Sequence, residues 1–203
     1  IFRNGCMYTV TNSNLLFHAS IPLNADGSLR EIEILGKKYK GKALLEKVGH
    51  LIRTAYFEDA KTEEQQFAKD YIWYLWCGKD SPAFDKEKMA TFERYFLDDK
   101  ELHRETKGHY YTLRDNEEVR DMILDEFGVQ GKHCHIINGH VPVKTLKGEN
   151  PIKANGKLMV IDGGFSKAYH LETGIAGYTL EYHSRGFQLV QHEPFTSMQK
   201  AIE

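Results

Sequence analysis

The sequence predicts one α/β (α+β) domain carrying a helical insertion over about residues 41–127, and three observations point to it. Apolar residues recur at helical spacing within that stretch, short apolar or alternating runs bounded by glycines and turn clusters flank it, and no repeat, low-complexity tract or linker divides the 203 residues. A composition 41% hydrophobic and 12% aromatic in a chain of that length is that of a packed domain with a sizeable core.

Taken in order, residues 8–16 alternate weakly before Leu15-Leu16-Phe17 leads into His18, which predicts a buried strand ending at that histidine. Asn24-Ala25-Asp26-Gly27-Ser28 is a turn cluster, and residues 31–35 with Gly36-Lys37-Lys38-Tyr39 read as an exposed hairpin. Leu44, Leu45, Val48, Leu51, Ile52 and Ala55 define an amphipathic helix over residues 41–57. Thr62 followed by Gln65 is a capping box opening a second helix. That helix is expected to carry Phe67, Tyr71, Ile72, Leu75 and Trp76 on its apolar side, to place the run from Tyr71 to Trp76 in the core, and to end near Cys77-Gly78. After Pro82, Asp85 is expected to cap a helix through Met89, Phe92, Tyr95 and Phe96. Asp115 with Glu118, and Gly128 just after Phe127, bound a further helix whose Val119, Met122 and Ile123 face inward. Strands are expected at 133–138, 158–161, 178–182 and 187–192, the last two joined by a turn at His183-Ser184-Arg185-Gly186.

Charge narrows the function classes. The 27 Lys and Arg nearly balance 29 Asp and Glu, for a net charge of -2, which argues against a dedicated nucleic-acid or membrane-surface protein and leaves anion binding to local clusters. Cys6, Cys77 and Cys134 match no disulfide framework or metal clip, so a reducing, cytoplasmic setting is expected. No apolar run has the length of a membrane span, and Ile1-Phe2-Arg3-Asn4-Gly5 shows neither an initiator Met nor a signal peptide, so the start reads as the interior of a longer chain.

Two histidines stand at strand-to-loop corners, His18 after Leu16-Phe17 and His140 after Ile136-Ile137-Asn138-Gly139. Gly139 allows a tight turn beside a ligand, and a neutral imidazole is a common ligand for Zn, Mn and Fe ions. With ten histidines in the chain, composition alone favours packed or surface roles for any one of them. Asp162 before Gly163-Gly164 either hydrogen-bonds a metal-binding imidazole or makes a tight turn. His133 and His135 flank Cys134, but strand alternation sends the cysteine to the opposite face, so core or surface placement is expected.

The surrounding residues change that balance. The runs from His135 to Lys144, from Gly148 to Lys157, from Val160 to Tyr169 and from Thr173 to Leu180 resemble the Firmicutes-type class III fructose-1,6-bisphosphatases of bacteria. So do the runs from Leu16 to Leu23 and from Trp73 to Pro82, and together they span essentially the whole chain. The resemblance implies a calcineurin-like metallophosphoesterase fold, here a partial β-sandwich flanked by helices. It also implies a two-ion manganese or magnesium site that polarises a phosphoryl group and acidifies an attacking water, and a sugar bisphosphate substrate whose 1-phosphate is hydrolysed in gluconeogenesis. It assigns His18 and His140 to one ion. Pro142 stands where many relatives of the wider superfamily have a further histidine.

The superfamily's Asp-x-His, Gly-Asp-x-x-Asp-Arg and Gly-Asn-His-Asp or Gly-Asn-His-Glu motifs, which supply the other ligands, should precede His18 and occur nowhere in this chain. The chain is therefore expected to be the C-terminal part of a longer enzyme, completed by an N-terminal part and a poor catalyst alone. Lys144, Lys147, Lys153 and Lys167, around the Gly-His and Asp-Gly-Gly loops, and Lys79 are candidates for the substrate phosphates, although loop lysines are usually solvated. The competing reading is a non-catalytic domain that binds a phosphorylated metabolite or mediates assembly. A protein phosphatase is disfavoured by the motifs around Asp162 and Tyr178. A sheet edge exposed by the absent half would invite pairing with a second copy.

Overall fold

The computed structural model describes residues 2–58, 61–164, 173–174, 177–193 and 195–202. Strands β1 (Tyr8–Thr11) and β2 (Asn14–Phe17) are antiparallel partners joined at Asn12 and Ser13, which adopt φ of 49° and 60°. The stretch read as one strand is thus a hairpin. A two-residue turn with both residues left-handed matches the twist of the strands it joins, and Asn tolerates that conformation.

A five-stranded mixed sheet forms around β2, with β5 (His135–Asn138), β6 (Ile152–Lys153) and β7 (Leu158–Val160) in the order β1-β2-β5-β7-β6. The pairs β2–β5 and β5–β7 are parallel, while β1 and β6 are antiparallel edges. Central parallel strands are covered on both faces, and Leu15, Ile136, Leu158 and Val160 are completely buried. Two hairpins stand apart from this sheet: β3 (Ile32–Ile34) with β4 (Lys37–Tyr39), and β8 (Gly177–His183) with β9 (Gly186–His192).

Helices α1 (Gly41–Phe57) and α2 (Glu63–Cys77) pack on each other through Leu44, Val48, Leu51, Ala68, Tyr71 and Leu75. A separate apolar cluster joins the sheet to α5 (Glu117–Glu126) through Leu15, Ile123, Leu124, Ile136 and Leu158. Full burial of side chains such as Leu44 and Leu51 contributes about 1.5–3 kcal/mol each. Short helices α3 (Thr91–Phe96), α4 (Tyr110–Leu113) and α6 (Met198–Ile202) also form, α4 being one that no sequence signal announces.

The helix caps show where spacing misleads. Thr62 accepts from the Gln65 backbone N–H as a capping box requires, but the Gln65 side chain turns to the Lys61 N–H and the Glu58 carbonyl instead of closing on Thr62. Helix α5 is capped by Asn116, whose side chain accepts from Glu118 and Val119. The expected cap, Asp115, accepts from the Ala154 backbone instead. Gly128 ends α5 as expected, at φ +71°.

Two expectations hold only in part, since Tyr71 and Leu75 are buried and a helix does carry Phe92, Tyr95 and Phe96. Trp73 and Trp76 are 66% and 58% exposed and pack edge-to-face on each other, because α2 buries only the 68, 71, 75 stripe against α1. Asp85 is buried at φ +48°, outside the extended region an N-cap needs. Lys86 instead bridges to Lys107, so α3 begins only at Thr91 and leaves Phe92, Tyr95 and Phe96 exposed.

Candidate active site

The parallel strands β2 and β5 lie side by side with Leu16 opposite Ile137, so their C-terminal ends open toward the same side. Ligand sites of open sheets gather at such ends. The loops that follow are stitched together, for the Gly139 N–H donates to the His18 carbonyl at 2.9 Å and the Asn138 side chain to the Ala19 carbonyl at 2.9 Å. His18 and His140, 122 residues apart, thereby meet with Nε2 of the first 3.1 Å from Nδ1 of the second. A Cβ on Gly139 would sit 3.5 Å from the Asp162 Cβ and 3.8 Å from the His18 carbonyl, ordinary contact distances that place this corner beside both Asp162 and the His18 loop.

His140 itself has φ +66°, and the Val141 N–H closes a three-residue turn around it by donating to the Gly139 carbonyl at 2.8 Å. Such left-handed backbone costs about 1–3 kcal/mol at a non-glycine residue and persists where surrounding contacts impose it, often at functional sites.

Burial depresses both imidazoles. It is the main reason the His140 pKa falls to about 4, helped by the neighbouring His18 and the Lys86 ammonium, while the Asp162 carboxylate opposes the fall. His18 is lowered by burial against the same opposing carboxylate. Both rings are therefore neutral at pH 7, the form in which imidazole offers a lone pair to a metal. Nε2 of His140 is buried without a hydrogen-bond partner; the Phe84 carbonyl is close enough to favour a proton there, yet not in hydrogen-bonding geometry.

Neutral imidazoles suit Mn, Zn and Fe ions, and two nitrogens at about 2.1 Å from one ion, at right angles, lie about 3 Å apart, close to the spacing seen. The donor set fits an ion in kind and spacing but is incomplete, since among the described residues no group of three or more His, Cys, Asp and Glu could hold one.

The imidazoles border a cleft of about 820 Å³ whose other walls include Trp76, Phe84, Lys86, Arg94, Lys107 and Lys144. Of the lysines proposed from sequence, Lys144 faces this cleft. Lys153 is instead paired with Glu149 at 3.2 Å and Asp115 at 4.0 Å, Lys147 is exposed in a single 3-10 turn, and Lys79 is exposed beyond α2 with its carbonyl accepting from the Tyr74 hydroxyl. None of these three lines the cleft, and Lys167 lies outside the described residues. Asp162 makes the tight turn, accepting from the Gly164 N–H at 2.9 Å, and its charge also reaches both imidazoles. His135 is committed to the Asn14 side chain at 2.9 Å, and Cys134 is buried. Lys86, Arg94 and Lys107 escape a sequence reading because they belong to no motif and nothing in the sequence marks them as facing the imidazoles.

Comparison with known proteins supplies the context. The family model described as Firmicute fructose-1,6-bisphosphatase matches residues 1–203. A relative from Phocaeicola vulgatus named fructose-1,6-bisphosphatase class 3 is 80% identical over 203 residues, covering all of this chain and 30% of the relative. Relatives of the same name from Bacteroides fragilis and Clostridium botulinum are 70% and 57% identical, again over the whole chain and 31% and 30% of their own lengths. The chain thus spans about 30% of the length of these curated relatives. No solved structure matches it.

Proposed function

Because this chain belongs to the Firmicute fructose-1,6-bisphosphatase family, we propose that it supplies two metal-binding imidazoles and a cationic cleft wall to an enzyme that hydrolyses the 1-phosphate of fructose 1,6-bisphosphate. The observation that carries the reading is the convergence of His18 and His140 at the ends of adjacent parallel strands, with nitrogens 3.1 Å apart and both rings held neutral. The remaining ligands come from outside these 203 residues, in keeping with the greater length of the relatives.

In this reading the sheet is part of a calcineurin-like sandwich, residues 41–127 are the helical insertion upon it, and the setting is cytoplasmic. Among the described residues no helix is long and apolar enough to cross a membrane. The metal is manganese or magnesium, and when bound it supplies Lewis acidity toward phosphoryl oxygens and an acidified water. His18 and His140 hold it as neutral rings, once the proton they share at 3.1 Å has shifted to the far nitrogen of its ring. Asp162, turned against Gly139, orients the imidazole loop. Lys144 at the cleft offers an ammonium to a phosphate oxygen.

The test is His140→Ala in the full-length protein, read as phosphate release from fructose 1,6-bisphosphate with manganese. Turnover should fall by at least about 100-fold, since even changes behind the ligands of a metal site cost 10- to 100-fold. The 203-residue chain alone should release none. Wild-type turnover in the variant would overturn the assignment.

A further inference from the structure

Lys86 and Lys107 face each other across an isolated antiparallel bridge, framed by backbone hydrogen bonds of 2.8 Å from Glu87 to Thr106 and from Gly108 to Asp85. Directly opposed residues of an antiparallel pair project to the same side, and like charges so placed destabilise the pairing. Among the described residues only one of them has an ion pair. Lys86 is neutralised by Glu105 at 2.9 Å, and the same carboxylate takes Arg94 at 3.4 Å and the Ala90 N–H at 3.0 Å. Arg114 is committed to Glu149 at 3.3 Å. Lys107 has no carboxylate within 4.0 Å among the described residues, and its ammonium lies 5.7 Å from the centre of the Tyr111 ring. Partial burial chiefly, with Arg114, Lys144 and Lys86 nearby and the Glu149 carboxylate opposing, pulls the Lys107 pKa down.

This wall belongs to the same cleft as the imidazoles. The Phe84 ring joins the two, with its centre 6.1 Å from that of His140 and 5.2 Å from the Lys86 ammonium. The cleft that holds the imidazoles therefore also presents Lys107 and Lys86 to a second anionic group of a ligand bound in it.

We propose that Lys107, with Lys86 opposite, is the subsite for the non-reacting phosphate of the substrate. The proposal rests on the reading of the imidazoles as the reacting end. A phosphate dianion docked there provides the close counter-charge that no described side chain gives Lys107, whose nearest carboxylate influence, Glu149, acts only from beyond ion-pair distance. The subsite would thus distinguish a bisphosphate from a single phosphate ester.

The experiment compares two substrates on the full-length manganese enzyme carrying Lys107→Gln. With fructose 1,6-bisphosphate, kcat/KM should fall about 10- to 100-fold, as expected for losing one charge-assisted contact, mainly through KM. With p-nitrophenyl phosphate, which has a single phosphate, kcat/KM should stay within about two-fold, which also shows the variant folded. Lys107→Arg should restore most of the loss. Equal losses on both substrates, or no loss on the bisphosphate, would overturn the subsite. Retained bisphosphate hydrolysis in His140→Ala would instead overturn the reacting end, a failure that the Lys107→Gln ratio does not share.

Discussion

The two walls of the cleft are made in different ways. The imidazole wall ends two adjacent parallel strands whose side chains Leu15 and Ile136 are wholly buried, and backbone hydrogen bonds between the loops hold the histidines in place. The cationic wall, within residues 82–109, has one six-residue helix with no buried side chain, a single β-bridge, and one carboxylate, Glu105, gathering Lys86, Arg94 and the Ala90 N–H. The first wall gets its geometry from the core, and the second from charge pairing. A strand end fixed by packing suits a function that tolerates little displacement, as metal binding does. A charge-paired segment can exchange one ionic partner for another when a ligand arrives.

If that contrast is right, the largest stability loss should come from beneath the imidazoles. Ile136 lies in the central strand β5, completely buried and two residues before Asn138, whose side chain ties the loops together. Ile136→Ala should cost about 2–5 kcal/mol by lost burial and the cavity left behind. Urea denaturation measures this, and a cost under about 1 kcal/mol would mean that the strand is not the anchor of the site.

The same contrast sets what could be read from sequence. The helix at 41–57 and the strands leading to His18 and His140 are legible because burial imposes a period, and Gly139 marks the corner where the second imidazole turns. The hairpin at Asn12-Ser13 is hidden because Thr, Asn and Ser do not break the run strongly enough to separate two strands from one. The cap of α5 slips by one residue because Asp115 and Asn116 are both good caps, and only the Ala154 backbone, distant in sequence, decides between them. The tryptophans of α2 mislead because size favours burial, whereas the helix has a packing partner on one side only. Lys86 and Lys107 could not be paired from sequence, since nothing periodic marks a bridge of one residue pair.

A smaller effect tests the junction of the walls. Asp85 is buried, and burial chiefly, with Asp80 adding, raises its pKa to about 6 against the opposing pull of Ser20, His109 and Arg30. A Cβ on Gly108 would come within 2.1 Å of its carboxyl, so the group is enclosed by the segment that carries Lys107. A carboxyl bound more tightly to its proton in the fold favours folding fully below its unfolded value of 3.8, and that contribution is lost as pH rises through about 6. Asp85→Asn should therefore stabilise the chain at pH 7.5 by roughly 1–3 kcal/mol, the gain shrinking toward zero near pH 4. Urea denaturation at the two pH values checks this; equal effects at both would show that Asp85 is ionised freely in the fold.

The smallest effect belongs to the aromatic residues of α3. Phe92, Tyr95 and Phe96 are 74%, 78% and 77% exposed, and the rings of Phe92 and Phe96 lie 6.4 Å apart without reaching either apolar cluster. Since stabilisation by an apolar side chain follows the area it removes from water, little is lost when such a ring is removed. Phe92→Ser should shift the stability of the 203-residue chain by no more than about 0.5 kcal/mol, an order of magnitude below Ile136→Ala at its upper end. A loss approaching that of Ile136→Ala would mean that the 82–109 segment is held by packing after all. The two walls would then share one source of rigidity, and the exchange of ionic partners expected at Lys107 would lose its physical basis.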